Sequence, residues 1–234
     1  MPFWISLLYC LLATLYMVLA GRVEIALAAV LKILPLLVLL AWFCRRFTDK
    51  PVGTSDISAA EVSSDISSSI VIVALGLSML GDVILAVDGK NWFVYGLAAF
   101  LLSHIAYILA LRPLQRVAKA KLGILLAGYI LFAAGVLTLM APNLGIMLLP
   151  VGLYISVILL MSLSTWHSKA SNPWLIVGGL LFICSDALIG LNKFFTPIPY
   201  SGVFIMLTYY AAQYALLRGF KVVQSRTRPK VIED

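Results

Sequence analysis

Apolar residues run along the chain in eight blocks separated by charged residues or by Pro and Gly breaks. The blocks lie near 3–20, 23–44, 70–87, 92–111, 120–140, 144–163, 172–191 and 201–219. A helix needs about 20 apolar residues to cross the hydrocarbon core of a bilayer, so each block has the length of one crossing. The pattern predicts an all-α fold: a polytopic integral membrane bundle of eight transmembrane helices, forming one domain over 1–234. Between the second and third blocks, Arg45 to Ser69 holds seven serines and four acids, the composition of a solvated connector. Residues 220–234 read as a basic tail. The first block has no Lys or Arg before Arg22 and no clear small-residue cleavage pattern, so it reads as a retained span.

Composition sets the class. Of 234 residues, 62% are hydrophobic and 12% charged, whereas soluble domains run nearer about 45–50% and about 25%. A water-soluble domain, a disordered chain and a disulfide scaffold are excluded together. In such a chain the net charge of +7 reports topology and anionic lipid contact before it reports nucleic acid, which is not an expected partner. With eight spans, both termini share a side with the loops after spans two, four and six. That side holds thirteen basic residues, including Arg45, Arg46, Arg112, Arg116, Lys169 and Arg218, against Arg22, Lys90 and Lys193 opposite. The bias predicts cytoplasmic termini in a cell membrane. Cys10, Cys44 and Cys184 sit in three separate apolar blocks without CxxC spacing. Two histidines, His104 and His167, are too few for a three-His hydrolytic zinc site. No GxSxG elbow, Walker loop or GxGxxG loop is present, so no metal or cofactor is expected. Nothing in the sequence speaks to oligomeric state.

Charged side chains at membrane depth cost several kcal/mol and persist where they face a cavity or a partner. Lys32, Asp82 and Asp186 qualify. His104, Asn192, Lys193, Tyr209, Tyr210 and Gln213 form a second tier. Asp82 lies six residues, roughly 9 Å, before the outer end of its span, and Asp186 has similar depth in a span running the same way. That puts the site in the non-cytoplasmic half. Each Asp follows a small residue, Gly81 or Ser185, and is followed six positions later by Asp88 or Asn192. This suggests a weak parallel repeat of spans three and four in spans seven and eight, with a period of 104 residues. Lys32 either closes a buried ion pair with one Asp or orients substrate and tunes a carboxylate. Lys193 reads equally as a phosphate contact and as an interfacial snorkelling lysine. Tyr209 and Tyr210 stand one turn before Gln213, directing hydroxyl and amide groups to one side of their helix, or serving as packing. His104, with Tyr107 at i+3, reads as a satisfied buried histidine or a site residue.

Lys32-Ile-Leu-Pro35, Gly81-Asp82, His104, Ser185-Asp186, Asn192-Lys193-Phe194, Pro199-Tyr200-Ser201 and Tyr209-Tyr210-Ala-Ala-Gln213 together resemble the YhhN-like lysoplasmalogenase family, in order and over nearly the whole chain. The resemblance implies an eight-helix membrane hydrolase that cleaves the vinyl ether bond of lysoplasmalogens, releasing a fatty aldehyde and a glycerophospho-ethanolamine or glycerophospho-choline. It implies a lysophospholipid substrate and the bilayer as partners, and it makes Lys32, Asp82, Asp186, Asn192, Tyr210 and Gln213 part of the site. Many members continue Pro-Tyr-Ser with Arg; Gly202 takes that place here, which bears on the head group accepted.

Vinyl ether hydrolysis protonates the outer alkene carbon and leaves an oxocarbenium-like cation for water to capture. Two carboxylates suit it, one protonated as acid and one ionised to stabilise the cation and activate water, as in glycoside hydrolysis. Neighbours along the chain suggest Asp186, near Asn192 and Lys193, as base and Asp82 as acid, with the roles exchanged if Lys32 pairs the other way. Two other classes compete: a proton-coupled transporter using Asp82 and Asp186, and a lipid-binding scaffold without turnover.

Overall fold

The computed structural model describes residues 1–45, 59–111, 119–168 and 171–227, with main chain alone at 59–66, 119–122 and 226–227. Among them are eight α-helices: α1 (Phe3–Leu19), α2 (Ile25–Cys44), α3 (Ala59–Asp88), α4 (Phe93–Leu111), α5 (Lys119–Leu144), α6 (Leu148–His167), α7 (Pro173–Phe194) and α8 (Ser201–Thr227). No strand occurs among the described residues, in keeping with the all-α class. Five segments are long and apolar enough to cross a membrane: Ile25–Cys44, Ser67–Asp88, Phe93–Leu111, Gly123–His167 and Pro173–Phe194. The fourth contains both α5 and α6, which a short 3₁₀ turn joins at Gly145, a residue with φ 48° that a side chain would disfavour. Helix α1 is apolar but only 17 residues long. The polar residues of α8, among them Gln213, Arg218 and Lys221, keep it out of the apolar set. Large apolar side chains such as Ile124, Leu131, Ile146 and Leu149 face outward. An oily exterior of this extent suits hydrocarbon and not water, and the chain reads as a multi-pass membrane protein.

Two boundaries differ from those expected. The connector predicted over 45–69 is helical from Ala59 onward, because no Pro or Gly interrupts the Ser-rich stretch and α3 extends beyond its apolar core. Ser67 and Ser68 are buried there, and Gln224 of α8 donates to Ser68. Helix α8 likewise runs two turns past the predicted end at 219 and takes up the start of the basic tail. Lys221 is buried, and its Nζ donates to the Phe43 carbonyl at 3.0 Å. That carbonyl lies in the last turn of α2, where the helix leaves acceptors without an internal partner. Connector residues 46–58 and tail residues 228–234 lie outside the described residues. So do Arg112, Arg116 and Lys169 of the basic count, and the side chains of Lys119, Lys121 and Arg226.

Small residues set the helix spacing. A Cβ at Gly178 would stand 2.8 Å from the Leu216 backbone N, and one at Gly219 2.9 Å from the Leu175 backbone N, so α7 and α8 touch main chain to main chain. Asn172 starts α7: its side chain accepts from Trp174 N and Leu175 N, Pro173 takes the first helical position, and its amide donates to the Gly219 carbonyl at 3.2 Å. Gly81 meets the Phe100 ring in the same way, pairing α3 with α4. Helix α8 contacts α1, α2, α3 and α7 and thus runs through the interior, while α5 packs mainly on α6, on α7 and on the turn that joins it to α6. This arrangement turns the inward polar residues of α2, α3 and α8 toward one another.

Candidate active site

Lys32 is the one charged residue of α2 deep enough to need a partner, and α3 supplies it. Lys32 Nζ lies 3.0 Å from Asp82 Oδ1, with both side chains almost wholly buried. Asp82 Oδ2 accepts from the Tyr209 hydroxyl at 2.7 Å. Gln213, one turn on, donates weakly to that hydroxyl at 3.5 Å and accepts from Tyr107 at 2.7 Å. Each oxygen of the carboxylate therefore has its own donor, the arrangement that makes a buried charge tolerable. Tyr210 turns the other way: its hydroxyl donates to the Lys32 carbonyl at 2.7 Å, and its own carbonyl accepts from Tyr9. It fixes the stem of the lysine between α1 and α2 and does not reach the carboxylate. Of the predicted trio on α8, Tyr209 and Gln213 act together and Tyr210 acts on the backbone.

Asp186 stands in a different setting. Its Oδ2 accepts from Tyr154 of α6 at 2.5 Å and lies 3.8 Å from His104 Nε2 of α4. At that distance the fully buried His104 makes no hydrogen bond to Asp186. The imidazole is held by edge contacts, with ring centroids 4.7 Å from Phe182 and 5.5 Å from Tyr154. Phe182 in turn packs on Tyr209 at 5.5 Å, so the two carboxylates bound one aromatic layer.

Two cavities reach these groups. An apolar one of about 60 Å³ has Asp186 and Tyr154 as its polar members among residues such as Leu97, Met140, Ile158 and Phe194. A roomier one of about 400 Å³ is lined by Lys32, Tyr16, Tyr200, Gly202 and Val203. Leu85 and Ile189 belong to the walls of both. Gly202, where an arginine was expected from the family pattern, faces the Lys32 cavity with open space at its Cβ.

Asn192 and Lys193 lie apart from this centre. Asn192 Oδ1 accepts from the Ile198 N–H at 2.9 Å and shapes the turn into α8. Lys193 is bound at the surface: its Nζ sits 4.3 Å above the Phe93 ring and 3.4 Å from the Gly89 carbonyl. Helical spacing aligned it with Asp186, but the α3–α4 turn supplies an aromatic face closer by. That contact also joins the C-terminal ends of α3 and α7, so both aspartates lie toward the same end of the bundle. Tyr154 went unnoticed in the sequence. A tyrosine in mid-span, away from the interfacial belt, was the available signal, and α6 offered no charged residue to draw attention to it. Tyr9 and Tyr16 were missed for the same reason.

A model of the YhhN family matches residues 27–220, a stretch that contains every residue of both carboxylate clusters except Tyr9 and Tyr16. A protein of Mycobacterium bovis named Lysoplasmalogenase is 36% identical over 152 residues, covering 63% of this chain and 58% of that protein. Lysoplasmalogenase TMEM86A of Bos taurus is 33% identical over 174 residues, 68% of each. Lysoplasmalogenase TMEM86B of Homo sapiens is 35% identical over 147 residues, covering 60% of this chain and 58% of that protein. The chain thus spans well under two thirds of the mycobacterial relative's length. No solved structure matches it.

Proposed function

This chain belongs to the YhhN family, and on that premise we propose that it is a membrane hydrolase of the lysoplasmalogenase type. It cleaves the vinyl ether bond of a lysoplasmalogen to a fatty aldehyde and a glycerophospho-ethanolamine or glycerophospho-choline. The observation that carries this reading is the pair of buried aspartates in contrasting settings, one held by a lysine and a tyrosine, the other among apolar walls with a single tyrosine donor. Relatives named as lysoplasmalogenases favour hydrolysis over the proton-coupled transporter that the same carboxylates would also suit.

The roles follow from partners. Asp82, paired with Lys32, is the ionised group: it stabilises the cation and takes a proton from the attacking water. Asp186 is the acid, with Tyr154 steadying it and His104 beside it. This reverses the assignment suggested by neighbours along the chain, because the charge that counts comes from α2 and not from Lys193. Asp186 gives its proton to the outer vinyl carbon and becomes a carboxylate. Water adds to the oxocarbenium carbon and passes a proton to Asp82, forming the hemiacetal. On collapse, Asp186 regains a proton from the hemiacetal hydroxyl while Asp82 protonates the departing ether oxygen. One water is consumed and both carboxyls return to their starting states. Dividing opposite roles between like groups by environment is the logic of two-carboxylate hydrolases.

Eight crossings, cytoplasmic termini, a single domain and a site in the non-cytoplasmic half complete the proposal. The eight helices, the excess of basic residues on one side and the outer-end position of both aspartates support it. The close pairing of α3 with α4 and α7 with α8 supports the parallel repeat. A reporter fused after Asp234 is expected to be active only in its cytoplasmic form, and activity of an exported form would discard the topology. The enzymatic proposal is tested on purified protein in detergent: release of aldehyde from a vinyl ether lysolipid supports it. Silence toward both ethanolamine and choline substrates, by protein that remains monodisperse, refutes it.

A further inference from the structure

The cavity beside Asp186 does not end blind. On its outer side lies a groove of about 420 Å³ between α5 and α6, floored by small residues including Ala133, Ala134 and Gly152. Ile155 and Leu159 line both the groove and the cavity. Two half-buried side chains thus separate the carboxyl from a crevice on the lipid-facing surface, where Ile130 and Leu160 are exposed. At about 60 Å³ the cavity itself holds a few water molecules and not a long chain. Helix α5, whose main helix partners among the described residues are α6 and α7, is the least anchored wall. On the inner side, Leu85 and Ile189 separate the same cavity from the Lys32 cavity. Three spaces therefore adjoin one another through shared walls, with Asp186 lining the apolar cavity and Lys32 the roomier one.

We propose that the alkenyl chain of the substrate enters sideways from the hydrocarbon between α5 and α6, past Ile155 and Leu159. It then lies through the groove and the apolar cavity, so that the vinyl ether meets Asp186 and the head group occupies the Lys32 cavity. This rests on the hydrolase reading and adds to it the path and seat of the chain. Threading requires Ile155 and Leu159 to swing aside, so their bulk discriminates by chain length. A methylene more or less in an apolar pocket changes selectivity about 10–200-fold.

The test compares hexadecenyl and butenyl glycerophosphoethanolamines, which share a head group and reactive bond. Ile155→Trp and Leu159→Trp are expected to lower the long-to-short turnover ratio by about 10-fold or more. Leu131→Trp, on the outer face of α5 and 76% exposed, is the control that leaves the ratio unchanged. Val203→Trp, in the Lys32 cavity, is expected to slow both substrates alike. If Val203→Trp shifts the ratio and the α6 variants do not, the chain lies in the Lys32 cavity and the proposal is overturned. A readout without turnover separates this failure from failure of the enzymatic reading. A lysolipid carrying a diazirine in mid-chain, photolysed with wild-type protein in nanodiscs, is expected to label Ile155 and Leu159, with loss of label under excess unlabelled hexadecenyl lipid. Competable label on Val203 and Met206 instead overturns the proposed seat, whether or not aldehyde is released.

Discussion

Asp186→Asn is expected to release aldehyde about 10²–10⁴-fold more slowly than the parent protein, the usual cost of losing a general acid, while keeping its yield and thermal midpoint in detergent. The fold should tolerate the change because Tyr154 donates to Asp186 and can donate equally to an amide oxygen. His104, the other neighbour, stands 3.8 Å away and has no hydrogen bond to Asp186 to lose. The amide keeps size and polarity and removes only the transferable proton. Turnover near the parental rate would end the two-carboxylate mechanism. A fall in midpoint with no loss of rate per folded molecule would make Asp186 a packing residue.

Lys32→Met is expected to cost stability as well as activity, by about 3–5 kcal/mol, since removing one member of a buried pair leaves the other charge uncompensated. Asp82 would retain Tyr209 as donor but lose the cation bonded to it. Asp82→Asn strands Lys32 in the same way and should also lower the midpoint, unlike Asp186→Asn. The double variant Lys32→Met with Asp82→Leu replaces the pair by apolar groups of similar bulk. It should recover most of the midpoint and none of the aldehyde release. Thermal unfolding of the three variants, followed by static light scattering in one detergent, reads this directly. An unchanged midpoint for Lys32→Met would show that the ion pair does not hold the bundle together. Recovery of turnover by the double variant would remove both residues from the chemistry.

How much of this was legible beforehand depended on whether each determinant was local. Apolar runs of membrane length fix helices almost by themselves, since hydrocarbon leaves the backbone no other partner, and each of the eight blocks falls on one helix. Helix ends were less legible: nothing in the polarity of residues 59–69 or 220–227 says that Ser68 and Lys221 find acceptors or donors on distant helices. Among site residues, cost at membrane depth singled out Lys32, Asp82 and Asp186, and the structure brings Lys32 to Asp82. Which aspartate the lysine chooses was not written in any spacing, because the choice depends on how helices distant in sequence pack against one another. Lys193 misled for the converse reason. Seven residues along one helix set a face, but they do not say which neighbouring ring, here Phe93, will claim the amine.

The interior position of α8 has a consequence for biosynthesis. Ribosomes deliver this helix after the seven others, yet it supplies Tyr209 to Asp82, Tyr210 to Lys32 and Lys221 to the end of α2. It is also more polar than the five most apolar segments, through Gln213, Arg218 and Lys221. Until it emerges, the nascent bundle carries a gap along its axis, and the ion pair across α2 and α3 borders that gap. Docking of α8 onto the partly assembled protein is therefore expected to complete these bonds late in synthesis. Nascent chains arrested before Ser201 should be prime clients for membrane chaperones and quality-control proteases.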